Sequence, residues 1–190
     1  MPPCFSPQMK RRGARQTEIQ KLDRDIYAGQ QFTVRYQTNG FYDIRPVESG
    51  FQVEHQSFDA PVEKSFDDVF FSKWLDDPVA YGAFEDGRLL GYVEGFLETW
   101  NNRYRISDIC IFDHRYRRRG IGSLLMGTIL KEAKAAKARM AVLETQTCNE
   151  TAIAFYRRNG VEIIGFDLYS YSNTDMEKHE VRVEMGKPLV

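Results

Sequence analysis

Three cysteines, Cys4, Cys110 and Cys148, are too few and too unevenly spaced to build a disulfide framework or a zinc knuckle. A reducing cytoplasm is the compartment this usage suggests. The sequence also lacks an apolar run long enough for an export signal or a membrane span. It lacks charge of one sign: 26 Lys and Arg stand against 27 Asp and Glu, for a formal net charge of -1. No whole-molecule attraction to nucleic acid or anionic membrane follows, so any anion site must come from local clustering. Repeats and low-complexity tracts are missing too. What remains is ordinary globular composition, with 42% hydrophobic and 28% charged residues over 190 positions, enough for one core. The basic stretch up to Arg15 reads as a solvated tail. The expected division is therefore a tail over residues 1–16 and a single domain over 17–190.

Turn signals cut that domain into short alternating segments. Residues 32–36 read as a strand, Asn39-Gly40 as a turn, and 41–45 as the returning strand. Val62, Phe66, Val69, Phe70 and Trp74 recur at spacings of three and four, which predicts a helix over 61–77, before Pro78. Residues 79–84 and 89–99 around Glu85-Asp86-Gly87 form a hairpin pattern, followed by a strand over 105–112. Ile121, Leu124, Leu125, Ile129 and Ala133 mark the apolar face of a helix. A strand over 140–145 precedes a second helix, capped by Asn149 and stopped at Asn159-Gly160. Strands over 163–171 and 181–185 close the chain. Antiparallel strands followed by strand-helix-strand-helix-strand imply a mixed α/β (α+β) layered fold around one sheet.

One cluster compensates for the missing net charge. The run Arg117-Arg118-Arg119-Gly120-Ile121-Gly122-Ser123 enters a helix, where unpaired N–H groups and close-approach glycines suit phosphate, and the guanidinium forks add matching donors. It lacks the Lys and following Ser or Thr of a Walker loop, and Leu125 stands where a dinucleotide fingerprint needs a small residue. Alone, the run does not distinguish a phosphate site from a solvated arginine-rich turn.

Its surroundings do. Arg117-x-x-Gly120-x-Gly122 resembles the R/Q-x-x-G-x-G/A signature of the GNAT superfamily of CoA-dependent N-acyltransferases. Asp108-Ile109-Cys110-Ile111 stands where that family has its pantetheine-binding strand, and Asn149-x-x-Ala152-x-x-Phe155-Tyr156-x-x-x-Gly160 resembles its second cofactor motif. The resemblance implies a mainly antiparallel sheet flanked by helices, splayed between the strands near 105–112 and 140–145. It also implies acetyl-CoA as acetyl donor, held by Ile109, Cys110, Ile111, the loop from Arg117 to Ser123, Asn149 and Tyr156, with no metal.

An alkyl ammonium with a pKa of about 10.4 must lose a proton before it can attack a thioester, and the departing thiolate gains one. The resemblance puts the Tyr156 hydroxyl near the cofactor sulfur, as acid. Glu144 lies twelve positions earlier, a spacing similar to that of the catalytic Glu and Tyr in bacterial ribosomal-protein alanine acetyltransferases, and is the first candidate for base. Asp108 competes, as a carboxylate on an apolar strand that shares a face with Ile106 and Cys110 and needs a partner. His114 falls in an exposed turn. Cys110 and Cys148 read as packing residues.

The central block, including Trp100-Asn101-Asn102-Arg103-Tyr104 and Leu143-Glu144-Thr145-Gln146, resembles that of streptothricin acetyltransferases. A small cationic amine is therefore the expected partner, approaching Glu144 with Trp100 and Tyr104 offering apolar or cation-π contact. A homodimer is left open, and neither membrane nor nucleic acid is expected. Two alternatives remain at this point: acetylation of a protein N-terminus, and a non-catalytic CoA- or RNA-binding module in which Tyr116 stacks on bases.

Overall fold

The computed structural model describes residues 16–190; the proposed tail over 1–16 lies almost entirely outside them. A short edge strand, β1 (Glu18–Lys21), leads through a single helical turn, α1 (Arg24–Tyr27), into two long strands, β2 (Gln31–Val47) and β3 (Gly50–Val69). The rest alternates as anticipated: β4 (Val79–Glu85), β5 (Arg88–Glu98), β6 (Arg103–Ile111), α2 (Ile121–Ala135), β7 (Met140–Gln146), α3 (Glu150–Arg158), β8 (Glu162–Asp167) and β9 (Arg182–Pro188). Seven strands form one sheet in the order β1-β4-β5-β6-β7-β9-β8, and β2 and β3 form a separate ribbon.

The helix expected over 61–77 is instead the end of β3 and the turns that follow it. The misleading spacing has a tertiary cause. Val62 pairs with Thr38 and Phe66 with Val34, while Phe70 turns into an aromatic cluster with Phe32, Tyr92 and Phe112. Apolar residues three and four apart thus serve two different packings rather than one helix face. The Asn39-Gly40 turn is also corrected. The chain reverses between Val47 and Gly50, and at Asn39 the ladder jumps from Thr38↔Val62 to Gly40↔Ser57. Residues 58–61 of β3 fall in that gap, so Pro61 occupies a step where no ladder donor is required.

All ladders in the large sheet are antiparallel except one. β6 and β7 run parallel and pair only at Arg103↔Met140, Tyr104↔Ala141 and Arg105↔Val142. Beyond Arg105 they part into a V. α2 and α3 cover one face, where Ile121, Leu125, Met126, Ile129 and Ala133 of α2 pack on Val93, Tyr104, Ile106, Ala141 and Leu143. Each such large side chain contributes roughly 1.5–3 kcal/mol. Leu124, expected on that stripe, is half exposed and Met126 is buried instead, because the stripe follows 121, 125, 129 and 133 with 126 beside it.

The β2–β3 ribbon lies on the other face and crosses the V. Its open end packs Phe32 and Phe70 on Tyr92 of β5. Farther along, Tyr36 donates to Gln146 Oε1 at 3.3 Å, Lys64 pairs with Glu180 at 2.6 Å, and Phe41 stacks on His179. One ribbon therefore holds both arms of the splayed sheet.

Candidate active site

The arginine loop folds as a 3₁₀ turn, His114–Tyr116, after Asp113, followed by Arg118 and Gly120 in left-handed conformation, with φ of 60° and 82°. Gly120 is the N-cap of α2 and offers no side-chain cap. The first backbone bond inside the helix runs from Leu124 N–H to Gly120 O, so Ile121, Gly122 and Ser123 keep donors without intrahelical acceptors. A side chain at 122 would bring Cβ within 3.2 Å of the Phe155 ring, a tight contact that glycine avoids. Uncapped donors, a helix dipole and bare backbone make an anion cradle.

The arginines divide their work differently than expected. Arg119 pairs with the buried Glu85 at 2.7 Å and lies over the Tyr116 ring, and Arg117 donates to the Arg35 carbonyl of β2 at 2.5 Å. Both tie the loop to the scaffold. Arg118 is exposed, with its backbone in the left-handed region. The stacking role raised for Tyr116 is filled by Arg88 and Arg119 on its ring. Asn149 is likewise engaged: its carbonyl caps α3 by accepting from Ala152 N–H at 3.2 Å.

Along the open arm of the V, the β5–β6 register slips so that Glu94 faces Asp108 but Gly95 faces Ile106. Ser107 is the extra residue, and a one-residue bulge exchanges the faces. Asp108 therefore does not share a face with Ile106, as alternation predicts; Ile106 joins the helix-side core and Cys110 the cluster beneath the ribbon. Ile109 and Ile111 pack toward the helices. The edge of β6 that faces β7 carries no ladder over this stretch.

Asp108 thus stands with Glu94 and Asp68, the latter near the end of β3. Glu94 is fully buried, accepts from Phe71 N–H at 2.7 Å and Ser107 Oγ at 3.2 Å, and is still pushed up to about 6 because burial outweighs these bonds. Burial, reinforced by the Asp68 and Glu94 charges, lifts Asp108 to about 8. Tyr156, almost buried on α3, is also raised by burial, and the charges that act on it are those of Asp108 and Cys110. Tyr156 packs in the helix-side core with Ile109 and Ile111, the sequence neighbours of Asp108 and Cys110 on β6.

Glu144 does not offer a free carboxylate. On β7 it alternates with Ala141 and Leu143 of the core and so faces the ribbon side, where Arg182 Nε binds it at 2.8 Å and the Tyr171 hydroxyl donates at 3.3 Å. Trp100 and Tyr104 are not brought to it. Trp100 is 82% exposed on the β5–β6 turn, before the closed end of the V, and Tyr104 is buried in the helix-side core. A buried ring presents no face to an incoming cation. His114 is exposed and Cys148 is buried against the Tyr36 hydroxyl, as their sequence positions suggest.

Sequence reasoning missed Asp68 and Glu94. A carboxylate between Val93 and Gly95, within an apolar strand, was a readable signal for Glu94. Asp68 had none, because the ribbon that carries it was read as helix. Among the described residues no His, Cys, Asp and Glu group has metal-site geometry, and no helix is long and apolar enough to cross a membrane.

Residues 47–161 match the family model described as "Acetyltransferase (GNAT) family". The chain is 30% identical over 139 residues to a streptothricin acetyltransferase of Escherichia coli, covering 73% of this chain and 77% of that protein. Against a streptothricin acetyltransferase of Streptomyces lavendulae it is 30% identical over 164 residues, 80% and 85% of the two chains. The crystal structure of nourseothricin acetyltransferase superposes with a TM-score of 0.74 at 26% identity, over 92% of this chain and 99% of that one. Such agreement in sequence and fold shows that the chain belongs to the acetyltransferase (GNAT) family and is an acetyl-CoA-dependent N-acetyltransferase.

Proposed function

We propose that the enzyme acetylates a primary amine of a small cationic acceptor, the β-lysine amine of streptothricin, with antibiotic resistance as the consequence. Acetyl-CoA supplies an acetyl group activated as a thioester. The backbone donors at Ile121, Gly122 and Ser123 would hold its pyrophosphate, with Arg118 adding charge from the rim, and the unladdered edge of β6 at Ile109 and Ile111 would pair with its pantetheine arm. The observation that carries the reading is the unladdered edge of β6 beyond Arg105 together with the uncapped donors at the start of α2.

Asp108 takes the proton of the acceptor ammonium. Lifted to about 8, it is a far better match for an amine of about 10.4 than an ordinary carboxylate near 3.9. The freed nitrogen forms its bond to the acetyl carbon as the carbon–sulfur bond breaks; Tyr156 protonates the departing thiolate and regains its proton from the one the acylated nitrogen sheds. Glu144, held by Arg182 and Tyr171, forms part of the acceptor groove rather than the base. The names of the two relatives and of the nourseothricin enzyme support the acceptor class.

Thiol release from acetyl-CoA, followed across streptothricin, polyamines, aminoglycosides and N-terminal peptides, tests this reading. Streptothricin should give the highest kcat/KM. Release with peptides alone would move the enzyme to protein acceptors, and release with none would overturn amine acetylation by this site.

A further inference from the structure

The two faces of the splayed sheet differ in what can reach the V. α2 and α3 fill one face, and the donors assigned to the pyrophosphate stand at the start of α2. An acceptor therefore meets the thioester from the ribbon face. On β5 that face carries Tyr92, Glu94, Phe96 and Glu98, since Val93 and Leu97 between them belong to the helix-side core. Phe96 is the register partner of Arg105, and Arg105 is the last residue of β6 that pairs with β7. Phe96 thus stands one strand, about 4.8 Å, from the point where the V opens.

The carboxylates around Arg105 are already matched. Glu98 and Glu184 share Arg103 and Arg105, and Glu144 is held by Arg182. What this part of the face offers a cation is an aromatic ring. Trp74 meets Phe96 edge to face, with ring centroids 6.0 Å apart and planes at 84°, and is 69% exposed. The turn that carries Trp74 is fastened on both sides. Phe70, Phe71 and Leu75 are buried, Phe71 N–H donates to the buried Glu94 at 2.7 Å, and Leu75 N–H donates to Ser72 O at 3.1 Å. Phe71 and Asp77 also take left-handed backbone, with φ of 53° and 47°, a costly conformation for residues with side chains. A strained turn with three apolar anchors leaves its largest ring in solvent, beside the opening of the V.

We propose that Trp74, backed by Phe96, receives a cationic group of the acceptor other than the reacting amine, and so is a specificity-determining residue. The inference rests on the amine-acetylation reading. The reacting nitrogen becomes neutral, so a ring that attracts charge holds only a group that keeps its charge. The reacting amine is left free to reach the acetyl carbon. Trp100 lacks this setting: it lies on the turn after β5, with no ring contact among the described residues.

Steady-state kinetics on the full chain test the platform, with streptothricin or with the polyamine or aminoglycoside that proves the better acceptor. Trp74→Leu keeps apolar bulk but loses the π face; it should raise KM about tenfold, the scale of one cation–π contact, with kcat within about twofold. Trp74→Phe keeps a π face and should stay within about threefold of the wild-type KM. Acetyl-CoA affinity and the thermal midpoint should hold in both, because the ring is exposed. A second readout needs no turnover. The chain has two tryptophans, so Trp100→Phe leaves Trp74 alone, and the same amine added to the CoA complex should change its emission. An unchanged KM in Trp74→Leu, an equal loss in the Leu and Phe variants, or an unaltered emission would overturn the proposal while amine acetylation stands. Thiol release with none of these amines, while acetyl-CoA still binds, would instead defeat the underlying reading.

Discussion

The two ends of β6 carry charges to opposite effect. At the closed end, Arg105 binds Glu98 at 2.5 Å and Glu184 at 3.3 Å, and Arg103 binds the same two carboxylates at 3.2 and 3.3 Å. Burial opposes ionisation of Glu98, but bonds from Arg105 and Asn101 prevail and hold it below its usual range. At the open end, Asp68, Glu94 and Asp108 crowd together, and burial and repulsion raise Glu94 and Asp108. The lowered Glu98 adds stability above its unfolded pKa. Asp108, raised above its unfolded value, does the reverse: stability drains away between about pH 4 and 8, as the unfolded chain gives up a proton that the fold retains. A short paired stretch that closes the sheet is thus continuous with an unpaired stretch whose buried carboxyls hold their protons to higher pH.

Replacing Asp108 should break the contrast most severely. Asp108→Asn is expected to lower kcat by about 10³-fold, within the usual range for loss of a general base, and to abolish the rising pH limb near 8. Acetyl-CoA affinity, measured by calorimetry, should change little; an intact rate would remove Asp108 from the base role. Tyr156→Phe should lower kcat by about 10²-fold while sparing acetyl-CoA affinity, and an unchanged rate would remove it as acid. The closed end should answer in stability instead. Arg105→Met is expected to cost about 2 kcal/mol in urea unfolding, since Glu98 and Glu184 lose a partly buried partner, with kcat within about twofold of wild type. A large loss of turnover in this variant would erase the proposed division between the two ends.

Much of the donor side was legible in linear order. Gly120 and Gly122 at a helix start, the strand before them and the Asn149 cap lie within about fifty residues, where local backbone rules operate. The acceptor side was not. Tyr104 and Trp100 looked available because aromatic residues near a turn give no sign of which face they take, and Glu144 looked free because Arg182 lies on a later strand. The Ser107 bulge was invisible too, since alternation assumes an unbroken ladder, and a single extra residue turned Asp108 toward Glu94.

By itself, the sequence determined the glycine-bearing loop at the start of α2 and the order of the central elements, because these depend on neighbours along the chain. Tertiary structure alone decided where β6 leaves β7, which arginines hold the scaffold instead of an anion, and that Asp68 reaches the open V on a ribbon passing over both arms of the sheet. Those outcomes depend on pairings across distant segments, where burial and charge are set by residues that no local pattern brings together.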